Sequence, residues 1–142
     1  MSHDVFKRSD TPAAPARRLN KGLLWAAQVL CAAAFVAAGG AKLAGVPAML
    51  EVFQASGFGQ GMRYLVGASE VLFGAALLAP RLASWAAVPL LVIMAGAVFT
   101  HLVLIGGSAV PALLLAALLG LVILGRRGVA IRPPRSAALQ RR

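Results

Sequence analysis

The sequence predicts an all-α protein, a transmembrane four-helix bundle with a short interfacial helix between helices one and two. Two observations carry that prediction. The 142 residues are 60% hydrophobic and 13% charged, and their mean hydropathy of +0.82 is too high for a soluble domain of this length. The second observation is where the charge falls. Lys7, Arg8, Arg17, Arg18 and Lys21 precede the first apolar run, and Arg126, Arg127, Arg132, Arg135, Arg141 and Arg142 follow the last. A net charge of +10 spread over a soluble surface would suggest nucleic acid as partner. Confined to the flanks of an apolar core, it points instead to the lipid bilayer, and no nucleic acid is expected.

Residues 1–21 mix charge with Pro and Thr and show no apolar periodicity, so they are expected to form a disordered basic tail. The first span follows at once. "GLLWAAQVLCAAAFVAAGGA", Gly22 to Ala41, is 20 residues without a charge, enough at about 1.5 Å per residue to cross a hydrocarbon layer of roughly 30 Å. A signal peptide is the competing reading. The stretch is longer than the usual apolar region of about 7–15 residues, and no clear A-x-A site ends it.

"RYLVGASEVLFGAALLAPR", residues 63–81, carries the second span, expected over 62–79, with Glu70 near its middle. From Leu82 to Gly125 there is no Asp, Glu, Lys or Arg, a length that requires two spans because a single helix would overshoot the bilayer. The break is "GGS" at 106–108. It leaves a third helix over Ala83–Ile105 and a fourth over Ala109–Leu124, with Ser108 as cap and Pro111 in the first turn. Residues 126–142 form a second disordered basic tail, so the membrane domain is 22–125.

An even number of spans puts both termini on one side. The two tails and Arg81 hold most of the basic residues, against Lys42 and Arg63 near the opposite face, so both ends are cytoplasmic. "GVPAMLEVFQASGFGQG" is then external. Pro47 can open a helical turn, Val46, Leu50 and Phe53 fall on one side, and Gly57 can close it, which predicts an interfacial helix over the outer mouth of the bundle.

The costly residue is Glu70, a carboxylate within a span. Arg63, Gly67, Glu70 and Gly74 fall at i, i+4, i+7 and i+11, a single stripe of the second helix. Glycine on that stripe admits a neighbouring backbone, and an ionisable group in a span faces the bundle. Met94, Ala97 and His101, with Thr100 beside them, make a second stripe on the third helix. By rise per residue His101, Arg63 and Lys42 share one outer layer, with Glu70 roughly 10 Å below Arg63 and Glu51 above them on the interfacial helix. Arg63 is the first choice of partner for Glu70, since side chains lean toward the helix N-terminus. Lys42 and His101 are the alternatives. The cluster of Lys42, Arg63, Glu70 and His101 reads either as a ligand-binding site or as a polar staple that fixes helix packing. Gln28 and Cys31 read as packing residues.

Several chemistries have no support. One cysteine makes neither an internal disulfide nor a C-x-x-C pair. No nucleotide loop, H-E-x-x-H, G-x-S-x-G or histidine pair for haem is present, and no metal shell is visible. No catalytic constellation is complete, so the chain reads as non-enzymatic alone. Any electrons it handles must be carried by a bound small molecule.

In order, "GGAKLAG", "RYLVGASEVLFGAALLAPR" and "MAGAVFTHL" resemble the DoxX-like membrane proteins, whose shared pattern is a Lys-Leu after glycine, an Arg shortly before a Gly and then a Glu, and a His late in the third helix. The resemblance covers residues 22–125. It implies a four-helix bundle with cytoplasmic termini in the inner membrane of a bacterium. It also implies a link to quinol-coupled oxidation and, through some relatives, to secreted thiol and oxidative-stress enzymes as partners. The paired cysteines of some redox-active relatives are missing here. Two expectations follow: a quinone-interacting accessory subunit of a membrane redox or oxidative-stress system, with quinone as the bound cofactor, or a non-catalytic scaffold that binds a small apolar ligand.

Overall fold

A computed structural model of the chain describes residues 20–130. The tails expected over 1–21 and 126–142 lie, apart from 20–21 and 126–130, outside the described residues. Five α-helices and no strand are present among the described residues.

Helix α1, Lys21–Ala44, starts on Asn20, whose side-chain oxygen accepts from Gly22 N at 3.0 Å, satisfying one of the amides that a helix start leaves open. It ends at Gly45, in the left-handed conformation at φ 69°. There Gly45 N donates to Lys42 O and Val46 N to Ala41 O, the double closure that needs a residue without Cβ. Helix α2, Pro47–Ala55, opens with proline in its first turn and is left through Gly57 at φ 75°. This is the expected short helix between the first two long ones.

Helix α3 runs over Gly59–Ala76, three residues earlier at both ends than the 62–79 expected. The early stop has a steric cause: Pro80 disfavours helical backbone at Ala79, and the chain turns through Leu78 N to Ala75 O and Ala79 N to Ala76 O. Helix α4, Ala83–Phe99, continues without interruption into a π-helical turn, Thr100–Leu104, closed by Ile105 N donating to Thr100 O at 3.1 Å. That turn corrects the expectation of one regular helix to Ile105, because hydropathy does not distinguish a wide turn from an α turn. Helix α5, Val110–Ala130, begins with Ser108 Oγ accepting from Val110 N and runs past Gly125.

The long helices form two intimate pairs, α1 with α3 and α4 with α5, and looser seams of α1 with α5 and α3 with α4 close the ring. Helix α2 lies on α3 and touches α1. The first pair is close because of glycine: a Cβ on Gly39 would stand 2.6 Å from Gly67 O, and one on Gly67 would stand 3.0 Å from Gly39 O. Phe35, Leu77, Leu90, Leu119 and Val122 fill the core. The outside is apolar too, with Leu65, Leu72, Trp85, Val92 and Leu124 exposed, while the charged Arg63 and Glu70 are buried.

Two helices, α1 and α4 with its π turn, are long and apolar enough to cross a membrane, and α5 carries a shorter apolar stretch, Val110–Arg126. Helix α3 is not among them: it opens with Gly-Gln-Gly and carries Arg63 and Glu70.

Candidate functional site

On α3 the buried residues are Arg63, Gly67, Glu70 and Gly74, the stripe read from the sequence. The glycines let α1 approach, and the approach brings the last turn of α1 against Glu70. Lys42, in that turn, donates from Nζ to Glu70 Oε2 at 2.7 Å. The carboxylate side chain is 2% exposed and the lysine side chain 14%. In so dry a place neither charge is tolerable alone, and the pair is mutually stabilised.

Arg63 is therefore not the partner of Glu70, a correction to the first choice made from helix geometry. It bonds instead to the end of α1: Nη1 donates to the backbone carbonyl of Lys42, and Nε donates to Gln60 Oε1 at 2.5 Å. Its guanidinium also stacks over the Tyr64 ring, 4.1 Å from the centroid. The cause lies in α1. The last carbonyls of a helix lack intrahelical partners and carry partial negative charge, so a guanidinium beside them is satisfied without a carboxylate. Arg63 thus holds the residue that holds Glu70.

Between the two helix pairs, beneath α2, lies a cavity of about 400 Å³. Phe35 and Ala38 of α1, Phe53 of α2, Met62 and Val66 of α3, and Met94 of α4 give it apolar walls. Lys42 and Glu70 line it from the α1–α3 side and His101 from the π turn that follows α4. Three of the four residues singled out in the sequence thus meet at one cavity, and Arg63 stands behind its wall. His101 is half-buried on the π turn and makes no hydrogen bond among the described residues. Its neighbour Thr100 also lines the cavity, but its hydroxyl donates to Gly96 O at 2.9 Å. Glu51 is exposed on α2 and does not reach the cavity.

A second polar cluster lies at the other end of the bundle. Gln28 is fully buried on α1; its Nε2 donates to Leu77 O at 2.6 Å, and its Oε1 accepts from Arg126 Nε at 2.6 Å. Arg126 also lies over the Trp25 ring, 5.3 Å from the centroid. Gln28 therefore ties α1 to the end of α3 and to α5, where the sequence suggested packing alone. The available signal was a lone amide within an uncharged run, which requires partners once it is buried. Cys31 is buried against the apolar core, as a packing residue.

The family model described as the DoxX-like family matches residues 26–125, which contain α3, α4 and most of α1 and α5. No curated protein matches the chain, and no solved structure does.

Proposed function

The chain belongs to the DoxX-like family, and from that premise we propose that it is a multi-pass protein of a bacterial inner membrane that binds a small lipid-soluble ring compound of the quinone class as an accessory to a membrane redox or oxidative-stress system. Helices α1, α3, α4 and α5 cross the bilayer as a four-helix bundle. Helix α2 lies at the outer interface, and both termini are cytoplasmic. The apolar outer surface and the buried charges support a lipid surround. The 18 residues of α3 extend about 27 Å, close to the hydrocarbon thickness.

The observation that carries the reading is the cavity. Its volume of about 400 Å³ lies within the usual range for small-molecule sites, and its few polar groups converge from two sides on an otherwise apolar space. A cluster that served only to staple helices would need no empty volume beside it. The residues bind and orient; the chemistry of an electron carrier would belong to the bound molecule.

The experiment is gentle extraction from native membrane, followed by identification of the bound lipid-soluble molecules and a melting measurement. Wild type should retain a ring compound, and His101→Phe should retain less of it at an unchanged melting temperature. An empty wild type, with a stability defect alone in the variant, would leave a structural scaffold as the better account.

A further inference from the structure

The hydrogen-bonding capacity left open around the cavity defines the head group it takes. Ser56, Thr100 and Ser108 line the cavity. The first two spend their hydroxyl protons on the backbone, Ser56 Oγ on Phe53 O at 3.3 Å and Thr100 Oγ1 on Gly96 O at 2.9 Å. Ser108, which accepts from Val110 N, is exposed before α5 rather than buried beside Glu70. Lys42 has three N–H donors as an ammonium and uses one on Glu70 Oε2. Glu70 Oε1 accepts no hydrogen bond among the described residues. Because the Glu70 side chain is only 2% exposed and lines the cavity, the open space available to that oxygen is the cavity itself. One wall therefore offers an unused donor and an unused acceptor side by side, from a pair whose charges cancel.

We infer that the ligand carries a neutral hydroxyl, phenolic or alcoholic, at its polar end, seated between Lys42 Nζ and Glu70 Oε1. The hydroxyl oxygen accepts from the ammonium and the hydroxyl proton goes to the carboxylate, so one atom group satisfies both. The alternatives each leave something unpaired or repelled. A carboxylate or phosphate gains Lys42 but stands against Glu70. An amine meets the mirror problem. A ring carbonyl accepts from Lys42 and leaves Oε1 buried without a donor, which a low-dielectric site penalises. His101, with one donor and one acceptor when neutral, discriminates less. The inference rests on the reading of the cavity as a binding site and narrows it: among ring compounds of the quinone class, the hydroxylated form fits.

The test uses the full chain in nanodiscs, with empty nanodiscs as the partition control, and a probe set that keeps the body constant: naphthalene, naphthol, naphthoquinone, naphthoate and naphthylmethylammonium. At neutral pH naphthol should bind saturably and about tenfold or more tighter than each of the others, the difference that one well-made polar contact supplies. In Glu70→Gln the lysine is left as a net positive charge, and the preference should move to naphthoate. If naphthoquinone or either charged probe binds wild type as tightly as naphthol, the hydroxyl assignment is overturned while the binding reading stands. If no probe, naphthalene included, binds saturably, the cavity is not a binding site and both fall. Should Glu70→Gln fail to fold, the wild-type ranking decides the matter alone.

Discussion

Lys42 gives its side chain to Glu70 at 2.7 Å and its backbone carbonyl to Arg63, so one residue at the end of α1 joins the only two buried charged side chains on α3. Removing one member of the pair leaves the other in a dry site. Glu70→Leu or Lys42→Met should each lower stability by about 3 kcal/mol, whereas Glu70→Gln, which keeps an acceptor, should cost less, and the joint change Lys42→Met with Glu70→Leu should recover most of the loss. Reversible unfolding in detergent measures all four. Negligible effects throughout would mean that water reaches the pair.

Arg63 acts on a carbonyl rather than on a carboxylate, and a double-mutant cycle separates the two. The Lys42–Glu70 cycle should show a coupling above about 1 kcal/mol, and the Arg63–Glu70 cycle less than about half of that. Arg63→Leu alone should still cost about 1–3 kcal/mol by stranding the Lys42 carbonyl. Arg63→Lys should rescue little, because a single ammonium cannot serve Gln60, the carbonyl and the Tyr64 ring together.

The close crossing of α1 and α3 rests on one glycine of two adjacent ones. A Cβ on Gly39 would meet Gly67 O at 2.6 Å, whereas one on Gly40 would meet nothing within 4 Å. Gly39→Ala should therefore destabilise by about 2 kcal/mol or more as the backbones are forced apart. Gly40→Ala should be neutral or stabilising by up to about 1 kcal/mol, since alanine is the better helix former. Melting of the two variants side by side tests the crossing. Equal effects would mean that α1 and α3 do not meet at Gly39.

The long helices, the Arg63–Gly67–Glu70–Gly74 stripe and the short helix after Pro47 were legible in the sequence because each follows from hydropathy, periodicity or a turn residue. Contacts between elements were not. The choice of Lys42 over Arg63 depends on where α1 ends relative to α3, and that is set by the Gly39–Gly67 approach, which no single helix displays. The π turn beneath His101 has the same origin: Thr100–Leu104 is as apolar and as helix-compatible as the residues before it. Gln28 was visible as an oddity, but its partners Leu77 and Arg126 come from 49 and 98 residues away.

Orientation is testable apart from the site. Basic residues cluster with the termini and with Arg81 in the turn between α3 and α4, while the α2 end carries fewer, so both termini should be cytoplasmic. Reporter fusions at Ser2 and at Arg142 should both give cytoplasmic signals. An active alkaline phosphatase fused at the C-terminus would contradict the orientation and the even number of crossings together.

The two polar clusters occupy opposite ends of the bundle, so their roles should separate. Gln28 is fully buried and bonds both Leu77 O and Arg126 Nε, and it does not line the cavity. Gln28→Leu removes a donor and an acceptor at once and should lower stability by about 2 kcal/mol or more, while the ligand bound per folded molecule stays the same. Ala97 does line the cavity and belongs to the partly buried shell around the core. Ala97→Phe places a ring in the open volume and leaves Lys42, Glu70 and His101 unsubstituted, so it should expel the ligand at little cost in melting temperature. Measuring bound ligand and melting temperature for both variants gives opposite patterns if the α2 end binds and the far end only braces. Loss of ligand in Gln28→Leu without loss of stability would mean that the far end, too, controls the site.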